Sequence, residues 1–145
     1  MYKGSCLCGS IKFTVNQGLS DFGYCHCRSC QKASGTAFGA NAGVERTAVD
    51  LNDDHHYLKE YESSPGKYRA FCGHCGSPLY AYHVASKHLL RIRLGALDTP
   101  FHKSCQAHTF VAEKASWENI EDSVPQFDSW ADATILLQVG SKQPQ

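Results

Sequence analysis

Apolar and polar residues alternate with a period of two along several short stretches of this chain. Across residues 10–15, Ile11, Phe13 and Val15 interleave with Ser10, Lys12 and Thr14, the pattern of a strand with one buried face. Residues 89–94 behave alike: Leu90, Ile92 and Leu94 share one face, Leu89, Arg91 and Arg93 the other. Further strands are expected near 37–44, at 57–61, 68–71, 78–84 and 109–112. Polar connections fill 16–21 and 50–56, and the Pro65-Gly66 dipeptide marks a turn at 63–67. Residues 24–36, rich in Gly, Ser and Ala, read as a loop. Only 129–139, with Trp130, Ala133 and Leu137 at helical spacing, predicts a helix, and 140–145 should fray. Many short strands and hardly a helix predict a mainly β protein.

Composition narrows the function classes. The 145 residues fit one domain, 1–145, by length. Fourteen Lys and Arg balance fourteen Asp and Glu. That neutrality lacks the basic footprint that counterion release requires, so no nucleic-acid partner is expected. No run of 18 apolar residues occurs, so no membrane span is expected. The N-terminal MYKGSCLCGSIKF has no apolar signal core, which makes a cytoplasmic location the expectation. In that reducing compartment, closely spaced cysteines read as metal ligands before disulfides.

Seven of the eight cysteines fall into three groups: Cys6 and Cys8, Cys25 with Cys27 and Cys30, and Cys72 with Cys75. A C-x-C pair in a strand holds its Cα atoms about 6.5–7 Å apart, at the limit of disulfide geometry. Two thiolates on one tetrahedral zinc need sulfurs about 3.7–3.8 Å apart, which leaning side chains can reach. The two pairs together supply four ligands, a closed structural site. The triplet supplies three, which is the ligand count of catalytic zinc with an open position. A second closed site is the alternative, with Cys105 or His108 as fourth ligand. His26, between two ligands in an extended segment, should face away from them.

The ordered stretches GSCLCGSIKF, YCHCRSCQKASGTAF, FCGHCGSPLY, RLGALDTP, QAHTFVAEKASW and PQFD resemble the glutathione-dependent formaldehyde-activating enzymes, a family that includes centromere protein V. Ser116 stands where that family commonly has proline. The resemblance implies a β-tent fold and two zinc ions: a structural one on Cys6, Cys8, Cys72 and Cys75, and a catalytic-type one on Cys25, Cys27 and Cys30. It also implies carbon–sulfur lyase or synthase activity, joining glutathione to formaldehyde. Arg28, Lys32 and Arg69 are candidate partners for the substrate's carboxylates by charge. Ser34 is a candidate donor near the open position, and His108, within the QAH motif, is the candidate general base. The expected partner is a small thiol–aldehyde adduct, and the chain is expected to be a monomer or homodimer. The alternative reading is a non-catalytic zinc-binding scaffold.

Overall fold

The computed structural model describes residues 1–131. Among the described residues, ten strands form two sheets. In the smaller, β1 (Tyr2–Ser5), β2 (Lys12–Val15) and β5 (Val49–Asn52) lie antiparallel in the order β1-β2-β5. The larger uses β3 (Phe22–Cys25), β4 (Gly39–Glu45), β6 (Leu58–Ser64), β7 (Lys67–Cys72), β8 (Pro78–His83), β9 (Leu89–Arg93) and β10 (Cys105–Thr109). Its order is β10-β3-β4-β9-β8-β7-β6, antiparallel except for the parallel pairing of β10 with β3. The protein is mainly β, as the alternation predicts.

The alternation also selects the core. Ile11, Phe13 and Val15 are buried, and they join Phe22, Ala42, Val44, Ala70, Tyr80, Leu90 and Ile92 in one apolar cluster. That cluster unites β2 of the smaller sheet with one face of the larger. Full burial of side chains this size stabilises by about 1.5–3 kcal/mol each. Register then fixes what the opposite face of the larger sheet carries. Tyr80 opposes Ile92, so Ala81 and Arg91 point away from the core together. Arg69 opposes Ala81, Gly43 opposes Arg91, and Asn41 opposes Arg93. Lys67, Arg69, Arg91 and Arg93 therefore share this outer face.

Three expectations are corrected, the first at residues 50–52, which were read as part of a polar connection and instead pair with β2 as the end of β5. Residues 28–34, read as loop, form the helix α1 (Arg28–Ser34). Arg, Gln, Lys and Ala favour helix here. The Cys27 sulfur caps it by accepting from the Cys30 N–H, and Gly35 ends it at φ 69, a conformation open to glycine. The strand expected at 109–112 lies earlier, at Cys105–Thr109, and Val111–Glu113 is a 3-10 turn. A register shift between Cys105 and His108 breaks the alternation that would have shown it. Of the helix expected at 129–139, Ser129–Ala131 are not helical; the remainder, with 140–145, lies outside the described residues.

Candidate metal centres and the basic face

The first cysteine cluster joins the two sheets. Cys6 follows β1 in a tight turn where the Gly9 N–H donates to the Cys6 carbonyl at 2.9 Å and the Ile11 N–H donates to its sulfur at 3.3 Å. Gly9, at φ 75, makes that turn possible. Cys72 ends β7, and Gly76, at φ 76, donates its N–H to the Cys72 carbonyl at 2.7 Å. Cys72 shares the core face of β7 with Ala70 and is fully buried. The sulfurs of Cys6, Cys8, Cys72 and Cys75 all lie within 4.8 Å of one another. Cys6 and Cys8 are 3.5 Å apart and Cys8 and Cys72 are 3.9 Å apart. Those spacings bracket the roughly 3.7–3.8 Å edge of a zinc–thiolate tetrahedron and far exceed a disulfide bond. The donor set fits a closed four-cysteine metal site. Ser10, through its hydroxyl and then its backbone N–H, holds the Cys8 thiol down at about 6, favouring the thiolate that binds metal.

The second cluster lies across the larger sheet from the first. Cys25 opposes Gly39 at the end of β3 and points to the outer face, with Asn41 and Gly43. Cys27 caps α1, and Cys30 stands in its first turn. Strand end, cap and helix thus bring the three sulfurs within 4.8 Å of one another. A Cβ on Gly39 would sit 3.4 Å from the Cys30 Cβ and 2.9 Å from Arg93 Nη1, so glycine there lets α1 and Arg93 close over β4. Among the described residues, no further His, Cys, Asp or Glu atom joins the group. Three sulfurs with no fourth protein donor fit a metal site with a vacancy for an outside ligand. The Cys30 thiol is held below its ordinary value, first by the Cys25 and Cys27 thiols and then, against burial, by Arg69 and Arg93. Cys25 is pushed up by its hydrogen bonds to Cys27 and Cys30. The three sulfurs thus hold negative charge most readily at Cys30.

Neither residue weighed as a fourth ligand is there. Cys105 opposes Phe22 on the parallel β10–β3 pair, and its thiol donates to the Ala107 carbonyl at 3.4 Å. His108 is buried, with Nδ1 2.8 Å from His26 Nε2 and Nε2 3.0 Å from an Asp122 carboxylate oxygen. The carboxylate accepts from His108 Nε2–H, so His108 Nδ1 accepts from His26 Nε2–H. That leaves His26 Nδ1 as a bare buried nitrogen without a partner. Burial, then the neighbouring His108, lowers the His26 pKa, keeping its ring neutral. Both His108 nitrogens are engaged, and neither reaches the sulfurs. Asp122 was not foreseen from the sequence; only a search for a carboxylate downstream of QAH could have suggested it.

The basic candidates divide by position. Arg28 and Lys32 are exposed on α1; Arg28 also bonds the Gln31 side chain through its guanidinium. Gln31 is buried and donates to the carbonyls of His26, at 2.6 Å, and Glu113, at 2.9 Å, pinning the helix to the metal loop. Ser34 spends its hydroxyl on the Cys30 carbonyl, 2.7 Å away. Arg69 is half-buried on the outer face, its Nε–H donating to Ser63 Oγ at 2.9 Å. Arg93 was missed. It is only 6% exposed, and its Nε and Nη1 have no hydrogen-bond partner. Its strand pattern reads as a solvated charge. The available signal was Arg91 and Arg93, two arginines on the face that also carries the start of the cysteine triplet.

Comparison with known proteins agrees with this architecture. The family model for glutathione-dependent formaldehyde-activating enzymes matches residues 1–113. A Halomonas elongata protein named provisionally for the same activity is 29% identical over 129 residues, 83% of this chain and 82% of its own. An uncharacterized lyase of Schizosaccharomyces pombe is 29% identical over 86 residues, 59% of this chain and 61% of its own. A crystal structure of a Rhodobacter sphaeroides protein superposes with a TM-score of 0.56 at 17% identity, covering 69% of this chain and 91% of that one. That likeness is one of fold.

Proposed function

The chain belongs to the glutathione-dependent formaldehyde-activating enzyme family, and on that premise we propose that it is a carbon–sulfur lyase or synthase. It adds a glutathione-type thiol to a small aldehyde such as formaldehyde, or reverses that addition, at Cys25, Cys27 and Cys30. The observation that carries this reading is the sulfur triad, which no fourth His, Cys, Asp or Glu among the described residues joins. In the addition, the substrate sulfur bonds to the carbonyl carbon, the C=O π pair moves to oxygen, and the proton lost by the thiol ends on that oxygen. A zinc ion on the three cysteinates would bind and ionise a thiol that at its free pKa of about 8.5 is only a few per cent thiolate at pH 7.

The chain's own groups orient this exchange. Three thiolates leave a zinc site at a net charge of −1, which suits delivery of a bound thiolate more than generation of hydroxide. Arg69, whose charge acts on Cys30, is the candidate for a substrate carboxylate near the sulfurs, and Arg28 and Lys32, exposed on α1, are candidates for a more distant one. Ser34 fixes the helix backbone behind Cys30. His108 acts as a positioning residue, since it holds His26, and with it the segment linking Cys25 to Cys27, against Asp122. Cys6, Cys8, Cys72 and Cys75 hold a second, structural zinc.

The test is a calorimetric titration of zinc-loaded protein with glutathione, followed by NMR of the approach to equilibrium with formaldehyde. Wild type should bind the thiol and speed adduct formation above the uncatalysed mixture. Cys27→Ser should retain one zinc and lose both properties. Glutathione binding that survives in Cys27→Ser would overturn the assignment, as would a wild type that binds no thiol while holding two zinc ions.

A further inference from the structure

The outer face of the larger sheet holds a feature that thiol capture alone does not use. Arg93 is buried beside Cys30, yet two of its guanidinium nitrogens, Nε and Nη1, donate to nothing. Buried polar groups are normally satisfied, and a buried charged donor left open is costly. Balancing the sulfur cluster does not account for it. Three cysteinates on a divalent ion carry one net negative charge, and Arg69 beside Cys30 already answers that charge. Arg93 is a second positive charge at the same place. Lys67 and Arg91, on the same face, add to the positive field: each lies close enough to matter to its neighbours' charge, Arg91 acting on Lys67 and Lys67 sensing Cys30. Open space adjoins Arg93. A cavity of about 290 Å³ is lined by Arg93 together with Ser34, Thr36 and Phe38, and Ser34 is bonded to the Cys30 carbonyl.

We propose that Arg93, seconded by Arg69, is a carboxylate-binding subsite beside the three-cysteine centre, so that the protein selects thiols that carry a carboxylate. This rests on the reading of Cys25, Cys27 and Cys30 as the thiol site, and adds to it the residue that sets substrate class. A guanidinium with N–H groups left open on Nε and Nη1 offers a carboxylate opposite charge and charge-assisted hydrogen bonds. The neutral Ala81 between Arg69 and Arg91 keeps that stretch of the face low, and Gly39 leaves space for Arg93 Nη1 against β4 beside Cys30.

The experiment uses the cobalt-loaded full chain and three probes: glutathione, its diester, which keeps the thiol but masks both carboxylates, and S-methylglutathione, which keeps the carboxylates but blocks the thiol. Cobalt absorption reads thiol capture, and calorimetry reads binding. Wild type should bind glutathione roughly 10- to 100-fold tighter than the diester, the range of a charged hydrogen-bonded contact. In Arg93→Gln that preference should collapse, with diester affinity unchanged. Arg93→Lys, which keeps the charge and loses the fork, should fall between them and covers the case in which Arg93→Gln does not fold. Equal affinity of wild type for glutathione and diester would overturn the subsite, as would an Arg93→Gln that weakens both thiols alike. If no thiol alters the cobalt spectrum, the thiol-site reading fails. S-methylglutathione binding lost in Arg93→Gln would then still support the subsite, and its absence in wild type would overturn that too.

Discussion

Lys67 shows how burial on the basic face changes a single group. Its pKa falls to about 8, through burial first and then the charges of Arg91 and Arg69. An unfolded lysine titrates near 10.4, so between about pH 8 and 10.4 the unfolded chain binds more protons than the folded one. Stability from this group therefore rises with pH across that window. Two and a half pKa units correspond to about 3 kcal/mol as an upper bound. Urea unfolding of wild type and Lys67→Gln at several pH values should show wild type gaining on the variant between pH 8 and 10.4. A constant difference would mean that Lys67 keeps an ordinary pKa. Arg93 teaches a related lesson. Its charge made it look solvated in the sequence, because alternation reports which face a residue takes and nothing about what covers that face. Here α1 and the cysteine loop cover it, and both come from residues more than fifty positions away.

Among the elements, legibility followed locality. β2 and β9 stood out because each sends alternate residues into a common core, so the period of two is written into six residues or fewer. α1 was hidden, since its cysteines and its Ala-Ser-Gly end suggested a metal loop; its cap is a cysteine sulfur, a choice that metal binding and helix capping make together. β10 was misplaced because its pairing is parallel, long-range and interrupted. The two cysteine pairs and the triplet were legible as groups, whereas the His26–His108–Asp122 chain depends on two loops meeting β10. Close packing of β10 on β3 gives a prediction. A Cβ on Gly23 would lie 2.8 Å from the Ala107 carbonyl oxygen, a backbone atom that cannot turn aside. Gly23→Ala should therefore cost about 1–3 kcal/mol, as overpacking commonly does, and it should loosen His108 from His26. Thermal unfolding would check the first expectation and histidine NMR shifts the second. An unchanged melting temperature would show that β10 yields freely.

At the scale of the molecule, the two cysteine clusters sit on opposite faces of one sheet and differ in what they hold together. Cys6 and Cys8 come from the smaller sheet and Cys72 and Cys75 from the larger, so this site clamps sheet to sheet at the core. Structural zinc of this kind contributes about 10–16 kcal/mol of apparent binding in small peptides, against a net domain stability of about 5–15 kcal/mol. Cys25, Cys27 and Cys30 instead join a strand end to the helix that follows it, within six residues, so opening that site releases local structure only. The proposed zinc at each cluster should then leave by different routes. Titration with a strong chelator should remove one equivalent while near-UV circular dichroism holds, and the second only as the protein unfolds. Cys27→Ser should fold and bind one zinc, whereas Cys72→Ser should yield no folded protein at 37 °C. Simultaneous loss of both ions with unfolding would mean that the triplet, too, is part of the fold's support, and its vacancy would then have to be explained without a substrate.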